Sequence, residues 1–558
     1  MQKKLLLPLI YALVVSASIL LLGVDIWFRN ESGTHVLWFQ NHPGFWDALK
    51  YPGMIHHYRP VAFLMLSVIY HLFGPAALPF ILANFIGFLL TLTFFYIFVR
   101  SQTGETVAYF SVMALFPLFY HILYYPYNAL HGIFYSWDVG WFFLTIFLFL
   151  RGVESTHKRN TFLFWTTFFA LIAIGTHAFC GLTLAAVIIV YLIFNFPAVV
   201  QNRTASVIGM GISILCLGLI PVLEPGGGKL LQSDTTLFRY VSDRSELLAR
   251  ILMVSRIAPI LFGGMIQTIA GSFARKHSAS PLWAIVPAVL VLGLLKLLPQ
   301  PTTQMALLLC LAALLIFIIA RIPTLRIFAL IALMGIVHYY LIKSESSNYL
   351  RFLIFGITPI IVIGMLKLGE GLLAWIKIPS PSIRLLPRFA AALTALILIA
   401  IGLGLMNVPI ARSPVQNIRY LSHLSQTFRD ALFLGSKQIP NASQVYFFRG
   451  SANDEASKFS RIQVKDKSAL YKKEHLYNLR PAKYYEYDNY FAIAGRADLQ
   501  FHCVEDGINL APNESAYLFA FNSDEIKQVK SQYPTAELIF QSQRGKAKAA
   551  IFKLNPIK

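Results

Sequence analysis

The chain has 558 residues, 56% of them hydrophobic and 13% charged, with a formal net charge of +21. A soluble globular domain carries about 25% charged residues, so this composition excludes an ordinary soluble enzyme. The positive charge does not point to nucleic acid, because the basic residues fall in short clusters between long apolar runs, the pattern of cytoplasmic loops in a membrane protein.

Leu5 to Leu22 follows Lys3 and Lys4 and reads as a first membrane helix with a cytoplasmic N-terminus. No small-residue cleavage site precedes Asp25, so the helix is expected to be retained. The stretch from Gly23 to Pro60 then lies on the outer face. It is long for a connector, and loops of that length are usually functional or disordered. Trp38, Phe39, Phe45 and Trp46 argue against disorder, and Asp25, Asp47 and the run His56-His57-Tyr58-Arg59-Pro60 equip it chemically. Val61 to Phe73 is apolar but short. At about 1.5 Å rise per residue it covers about 20 Å, less than the roughly 30 Å hydrocarbon core. It is expected to lie at the interface, which extends the outer loop over residues 24–77. The later charges agree: with this segment uncrossed, Arg100 and the cluster Arg151, Lys158, Arg159 all fall inside.

Further spans are expected over Leu78–Val99, Val107–Tyr125, Phe134–Leu150, Phe162–Ile174, Leu182–Phe196, Val207–Leu223, Ile260–Phe273, Leu282–Leu298, Met305–Ala320, Phe328–Ile342, Leu350–Leu366 and Ala390–Leu405. The fold class expected is a polytopic α-helical membrane protein with about 13 transmembrane helices in residues 1–406. An odd number puts the C-terminus outside. Four cysteines, Cys180, Cys216, Cys310 and Cys503, show no C-x-x-C spacing, so neither a disulfide framework nor a zinc site is indicated.

From residue 407 the composition turns mixed and polar, and residues 407–558 read as a small extracytoplasmic α/β domain. A helical pattern runs from Val415 to Ile439. Val445–Phe448 and Ala516–Phe521 read as buried strands, Ser523–Tyr533 as a helix, and Glu537–Phe540 with Ala549–Leu554 as a hairpin over Arg544-Gly545-Lys546. The domain has no glycine-rich phosphate loop and no obvious catalytic pair, and is read as a docking or acceptor-positioning module.

On this topology Asp25, Asp47, His56, His57, Arg59, Asp138, His177, Arg256 and Arg351 all fall in outer loops or at outer helix ends. Acids and bases gathered on one face suit an anionic, membrane-borne substrate. Asp25 is a candidate general base that takes a proton from a hydroxyl nucleophile; the plainer alternative is a solvated acid at a helix end. Asp138, in Tyr135-Ser136-Trp137-Asp138, is a candidate second acid that positions the acceptor or a divalent ion; the alternative is a helix N-terminal charge. Arg59 and Arg351 are the best phosphate binders, because the guanidinium fork matches phosphate oxygens; the alternative is snorkelling at the interface. His177, in the tight turn after Thr176, is a weaker candidate with a structural alternative. Adjacent His56 and His57 would not face one metal well, so no metal ligand is assigned and a divalent metal is left open as cofactor. Asp47 reads as structural. The loop Glu224–Ala258 begins Pro225-Gly226-Gly227-Gly228 and reads as a lid.

An acid just after the first span, a long outer loop, and Tyr58-Arg59-Pro60-Val61 leading a short apolar segment that ends Leu72-Phe73-Gly74 resemble the GT-C glycosyltransferases. Within that superfamily the chain is most similar to the protein O-mannosyltransferase and aminoarabinose-transferase branch. The resemblance implies a first-loop catalytic acid at Asp25, a second-loop acid at Asp138, and substrate or phosphate binding by Tyr58, Arg59, His177 and Arg351. Relatives often carry paired acids in the first loop, whereas this chain has Val24-Asp25-Ile26, and often a lysine in the turn that here reads Thr176-His177-Ala178-Phe179. The activity implied is inverting transfer of a hexose or pentose from a polyprenyl-phosphate donor to a hydroxyl or amine of a glycan, lipid or protein acceptor. It would take place at the outer face of a plasma membrane, the bacterial inner membrane. The competing reading is a polytopic transporter or lipid flippase for a glycolipid. A transporter is expected to show internal repeats and charged or broken helices at the midplane; the sequence shows no repeat, and its acids sit at helix ends.

Overall fold

The computed structural model describes residues 25–28, 32–50, 59–118, 131–155, 157–195, 201–223, 312–313, 315–341, 351–376, 414–448, 487–504, 508 and 515–555. The spans expected at Leu5–Leu22, Ile260–Phe273, Leu282–Leu298 and Ala390–Leu405, and the loop Glu224–Ala258, lie outside the described residues. The first loop holds α1 (Ser32–Asn41) and a 3-10 turn at Phe45–Lys50; α2 (Pro60–Phe73) follows it. The bundle is built from α3 (Ala77–Thr103), α4 (Glu105–Leu118), the short α5 (His131–Ser136), α6 (Asp138–Glu154), α7 (Arg159–Thr176), α8 (Ala178–Phe194), α9 (Arg203–Leu223), α10 (Arg326–Leu341) and α11 (Arg351–Ile376). Among the described residues three helical stretches, Ala77–Thr103, Gly132–Glu154 and Arg203–Ile220, are long and apolar enough to cross a membrane. Their ends follow local rules. Pro60 occupies the first turn of α2, where its missing N–H costs nothing. Gly74 and Gly104 close α2 and α3 with φ of +65° and +98°, values that disfavour a side chain.

Packing fixes the helix directions. Trp137 Nε1 donates to the Ala83 carbonyl at 3.0 Å and Thr91 Oγ1 to the Ser136 carbonyl at 2.7 Å. Further along, the Phe95 and Phe143 rings sit 5.0 Å apart. Helices α3 and α6 therefore run side by side in one direction. Helix α11 joins them in the same sense through Phe142 with Phe352 and Phe95 with Phe355, each pair at 5.0 Å. Helix α10 runs the opposite way along α11, with Gly335 against Leu353 and Gly356 against Ala332. Glycines at such crossings let backbones approach, the usual device where lipid supplies no hydrophobic drive.

The N-termini of α3, α6, α8 and α11 thus share one end of the bundle, which carries Asp138, His177 and Arg351. The opposite end carries Arg151, paired with Glu154 at 3.1 Å, and Arg326, whose guanidinium lies 4.2 Å from the Phe194 ring. Helix α2 stays at the first end. Val61 packs on Gly175 at the close of α7, Phe63 lies 5.5 Å from Phe134, and Ser67 Oγ donates to the Phe45 carbonyl at 3.2 Å. Helix α3 then starts at that same end, so α2 does not traverse the bundle.

The C-terminal part is a five-stranded sheet in the order β2-β1-β3-β5-β4, with β1 (Gln444–Phe447), β2 (Gln500–Cys503), β3 (Ala516–Ala520), β4 (Glu537–Arg544) and β5 (Ala547–Leu554). The first three strands are parallel, while β5 runs antiparallel to β3 and β4. All of β3 is buried, as a central strand requires. The two-residue turn between β4 and β5 uses Gly545 at φ +57°. Helix α12 (Pro414–Asp430) lies against β4 and β5, tied by Asp430 to Arg544 at 3.1 Å and Ser542 at 2.8 Å. Helix α13 (Tyr487–Ile493) follows in the chain, and α14 (Ser523–Gln532) starts from Asn522, whose side chain accepts from the Glu525 N–H at 2.7 Å. Strand β2 and helix α13 are additions to the sequence reading; both are short, and neither shows a clear hydrophobic period.

Candidate active site

Four separate parts of the chain deliver charged or polar side chains to the shared end of the bundle. Arg59 precedes the first turn of α2 and is 4% exposed. Its guanidinium carbon lies 4.7 Å from the centre of the Phe134 ring and 5.8 Å from that of Tyr135. Arg351 opens α11, is 1% exposed, and lies 5.2 Å from Tyr135 and 5.1 Å from Phe352. Tyr135 thus contacts both guanidinium groups. Attraction of a cation to an aromatic face rises when both are desolvated.

Asp138 opens α6 and is fully buried. Its Oδ1 accepts from the Val139 N–H at 2.7 Å, and its Oδ2 accepts a hydrogen bond from Arg351 Nη2 in a buried ion pair. His177 links α7 to α8 in extended backbone and is fully buried, its ring 5.6 Å from Tyr135 and 6.0 Å from Phe179. The His177 carbonyl accepts from the Cys180 N–H at 2.9 Å, and Cys180 Sγ lies 3.6 Å from the Asp138 carbonyl. The turn that carries His177 is thereby held against the start of α6. Two guanidinium groups, a carboxylate and an imidazole are thus gathered at one end of an apolar bundle, and the guanidinium fork is the side chain best matched to phosphate oxygens.

The sequence-predicted residues divide into three groups. Asp138, Arg351, Arg59 and His177 come together around Tyr135. Tyr58, His56, His57 and Arg256 lie outside the described residues. Asp25 is exposed, in a segment whose backbone is held by α12: its carbonyl accepts from the Gln426 side-chain amide. Among the described residues no hydrogen bond or ion pair joins the Asp25 carboxylate to the Arg59–Arg351 cluster. Asp47 sits in the 3-10 turn and accepts from Lys50 Nζ at 2.9 Å and the Gly44 N–H at 3.2 Å, a local structural role. Asp138 is expected as an acid that positions the acceptor or a divalent ion; in the structure Arg351 and the Val139 N–H each engage one of its oxygens. Among the described residues no three His, Cys, Asp or Glu side chains gather as a metal site. Tyr135 lies beyond the sequence reading: one aromatic in an aromatic-rich run carries no signal until Arg59 and Arg351 are both found near its ring.

No protein-family model matches the chain, and no curated protein sequence matches it. Solved structures do resemble it. The crystal structure of ArnT from Cupriavidus metallidurans bound to undecaprenyl phosphate is 13% identical, with 99% of each chain covered and a TM-score of 0.43. The oligosaccharyltransferase AglB of Archaeoglobus fulgidus, in complex with an inhibitory peptide and a dolichol-phosphate, is 11% identical. The match covers 92% of this chain and 69% of that one, with a TM-score of 0.46. The oligosaccharyltransferase of the same organism in complex with Zn and sulfate is 10% identical over 92% and 67%, with a TM-score of 0.41. All three scores lie below 0.5, so the functional reading rests on this chain's own residues.

Proposed function

We propose that the chain is a GT-C-type membrane glycosyltransferase that moves a sugar from a polyprenyl-phosphate donor to a hydroxyl or amine acceptor at the outer face of the membrane. The observation that carries this reading is the convergence of two guanidinium groups, Arg59 and Arg351, on Tyr135 at one end of an apolar bundle, with Arg351 oriented by Asp138. Guanidinium forks match phosphate oxygens, and a hydrocarbon tail can remain among apolar helices. The positive-inside pattern supports an outer position for that end, because Arg100, Arg151 and Arg159 belong to the opposite one.

In this reading Arg59 and Arg351 hold the phosphate oxygens, while Asp138 keeps the Arg351 fork in one orientation. The acceptor oxygen or nitrogen attacks the anomeric carbon opposite the phosphate. A new bond forms there, and the bond from the anomeric carbon to the phosphate oxygen breaks. Polyprenyl phosphate departs with the electron pair, and the configuration inverts. Asp25 takes the proton of the acceptor group. The leaving phosphate is already stable as an anion, so a protonating acid is not needed.

The test uses a deletion strain complemented with wild-type protein or Asp25→Asn, with membrane glycans and lipids profiled by mass spectrometry. The purified full-length variant is also titrated with undecaprenyl phosphate. The expected result is retained lipid-phosphate binding with loss of the glycan product. A wild-type product level in the Asp25→Asn strain would remove Asp25 as the base.

A further inference from the structure

The segment that carries Asp25 is held from two sides. Trp27 faces the C-terminal domain: its ring lies 6.1 Å from Phe428 on α12, 5.6 Å from Phe433 and 5.7 Å from Tyr490 on α13. Phe28, the next residue, faces the membrane bundle, 5.8 Å from Phe80 on α3. The two rings also touch each other edge-on at 5.7 Å, so two adjacent aromatics link α3 to α12 and α13. Both are buried, Trp27 at 7% and Phe28 at 0% exposure. The backbone is fixed by the same partner. The Trp27 N–H donates to Ser425 Oγ at 3.0 Å, and the Ser425 hydroxyl donates to the Ser422 carbonyl at 2.9 Å. The Gln426 side-chain amide donates to the Asp25 carbonyl. Ser425, Gln426 and Phe428 all belong to α12, and Asp430 at the end of that helix is tied to the sheet through Ser542 and Arg544.

We infer that the C-terminal α/β domain is a working part of the active site: through Trp27, Ser425 and Gln426 it sets where the carboxylate of Asp25 stands relative to the bundle. This rests on the reading of Asp25 as the base. A carboxylate that must meet a substrate proton within hydrogen-bond reach loses much of its effect with a displacement of about 1 Å. The side chain of Asp25 is itself exposed, so its position comes from the backbone, and the described backbone contacts come from α12. Trp27, Ser425 and Gln426 are positioning residues, not catalytic ones. The arrangement also implies that whatever displaces α12 withdraws the base while leaving Arg59 and Arg351 in place.

The experiment compares full-length Trp27→Leu, Ser425→Ala, Ser425→Thr and Lys527→Ala with wild type. Transfer is read in native membranes as the rate at which radiolabelled sugar leaves the polyprenyl-phosphate pool. Undecaprenyl phosphate affinity and thermal stability are read on the purified proteins. Trp27→Leu is expected to slow transfer at least tenfold and Ser425→Ala several-fold, with undecaprenyl phosphate affinity within twofold of wild type. Ser425→Thr keeps the acceptor oxygen and is expected to restore the rate. Lys527→Ala removes an exposed side chain on α14, paired with Asp524 and not with α12, and is expected to transfer at the wild-type rate. Wild-type transfer by Trp27→Leu and Ser425→Ala overturns the inference, and so does a parallel loss of transfer and phosphate affinity, which marks a general structural role. An unchanged rate in Asp25→Asn instead removes the base assignment itself, so the two failures are told apart.

Discussion

Asp138 and Arg351 stand 213 positions apart in the chain and meet in one buried ion pair at the N-termini of α6 and α11. The pair fixes the register of two helices that already pack through Phe142 and Phe352. Breaking a buried pair by removing one member costs about 3–5 kcal/mol, whereas replacing both with apolar groups of similar volume is often nearly neutral. Asp138→Leu and Arg351→Met are each expected to lower the thermal midpoint in detergent strongly. The double variant is expected to recover most of that loss without recovering undecaprenyl phosphate binding. A double variant no more stable than the singles would mean that the two charges do not compensate each other.

Arg59 differs from Arg351 in its setting, with its guanidinium over the Phe134 ring at 4.7 Å. A lysine keeps the charge but loses the flat stacking surface and the fork. Arg59→Lys is therefore expected to weaken undecaprenyl phosphate binding about tenfold, equivalent to about 1.4 kcal/mol, and Arg59→Ala to weaken it further. Equilibrium binding of labelled undecaprenyl phosphate to purified protein measures both. Lysine and arginine variants of equal affinity would reduce the role of Arg59 to charge alone.

The helices were legible because apolar length is a strong signal. Ala77–Thr103 and Arg203–Leu223 sit close to where the runs Leu78–Val99 and Val207–Leu223 place them. The hairpin over Gly545 was legible for a different reason, since glycine between two short alternating runs has few other uses. The charged members of the site were visible too, because arginine and aspartate at apolar boundaries are costly and stand out. Their pairing was not visible. Nothing in sequence brings Asp138 to Arg351; that meeting comes from the parallel packing of α6 and α11. Nor was the bond from Trp27 to Ser425 readable, because it joins positions 398 apart through one backbone N–H.

The crossing of α10 and α11 gives a prediction about packing. A Cβ at Gly356 would overlap the backbone of Ala332 and lie 2.6 Å from the Phe328 carbonyl oxygen, and backbone cannot move aside as a side-chain tip does. At Gly211 on α9 a Cβ would meet nothing within 4 Å. Both substitutions to alanine gain similar helix propensity, up to about 1 kcal/mol, so the contrast isolates the overlap. Gly356→Ala is expected to lower stability by about 1–3 kcal/mol, and Gly211→Ala to leave it unchanged or raise it slightly. Thermal unfolding in one detergent ranks the two, and a reversed order would mean that these helices do not cross at Gly356.

The C-terminal domain offers a test by pH. Hydrogen bonds from the Arg496 guanidinium, with help from the Ala442 N–H and the arginine charge, hold the Asp498 carboxyl down at about 2, against 3.8 for the unperturbed group. Arg496 also donates to the Pro440 carbonyl at 3.1 Å, so the pair ties the turn before β1 to the entry of β2. A folded-state value below the unfolded one means that the contribution to stability is complete above about 3.8. It is lost as pH falls from there toward about 2, because in that window the unfolded carboxyl takes up a proton and the folded one does not, which favours unfolding. Asp498→Asn removes the ion pair at every pH. The variant is expected to show faster hydrogen exchange than wild type at the β1 and β2 amides at pH 6, after correction for intrinsic rates. The difference is expected to narrow at pH 3 and close near pH 2. A gap that stays constant from pH 6 to pH 2 would show that Asp498 contributes by shape or hydrogen bonding alone, with no part played by its charge.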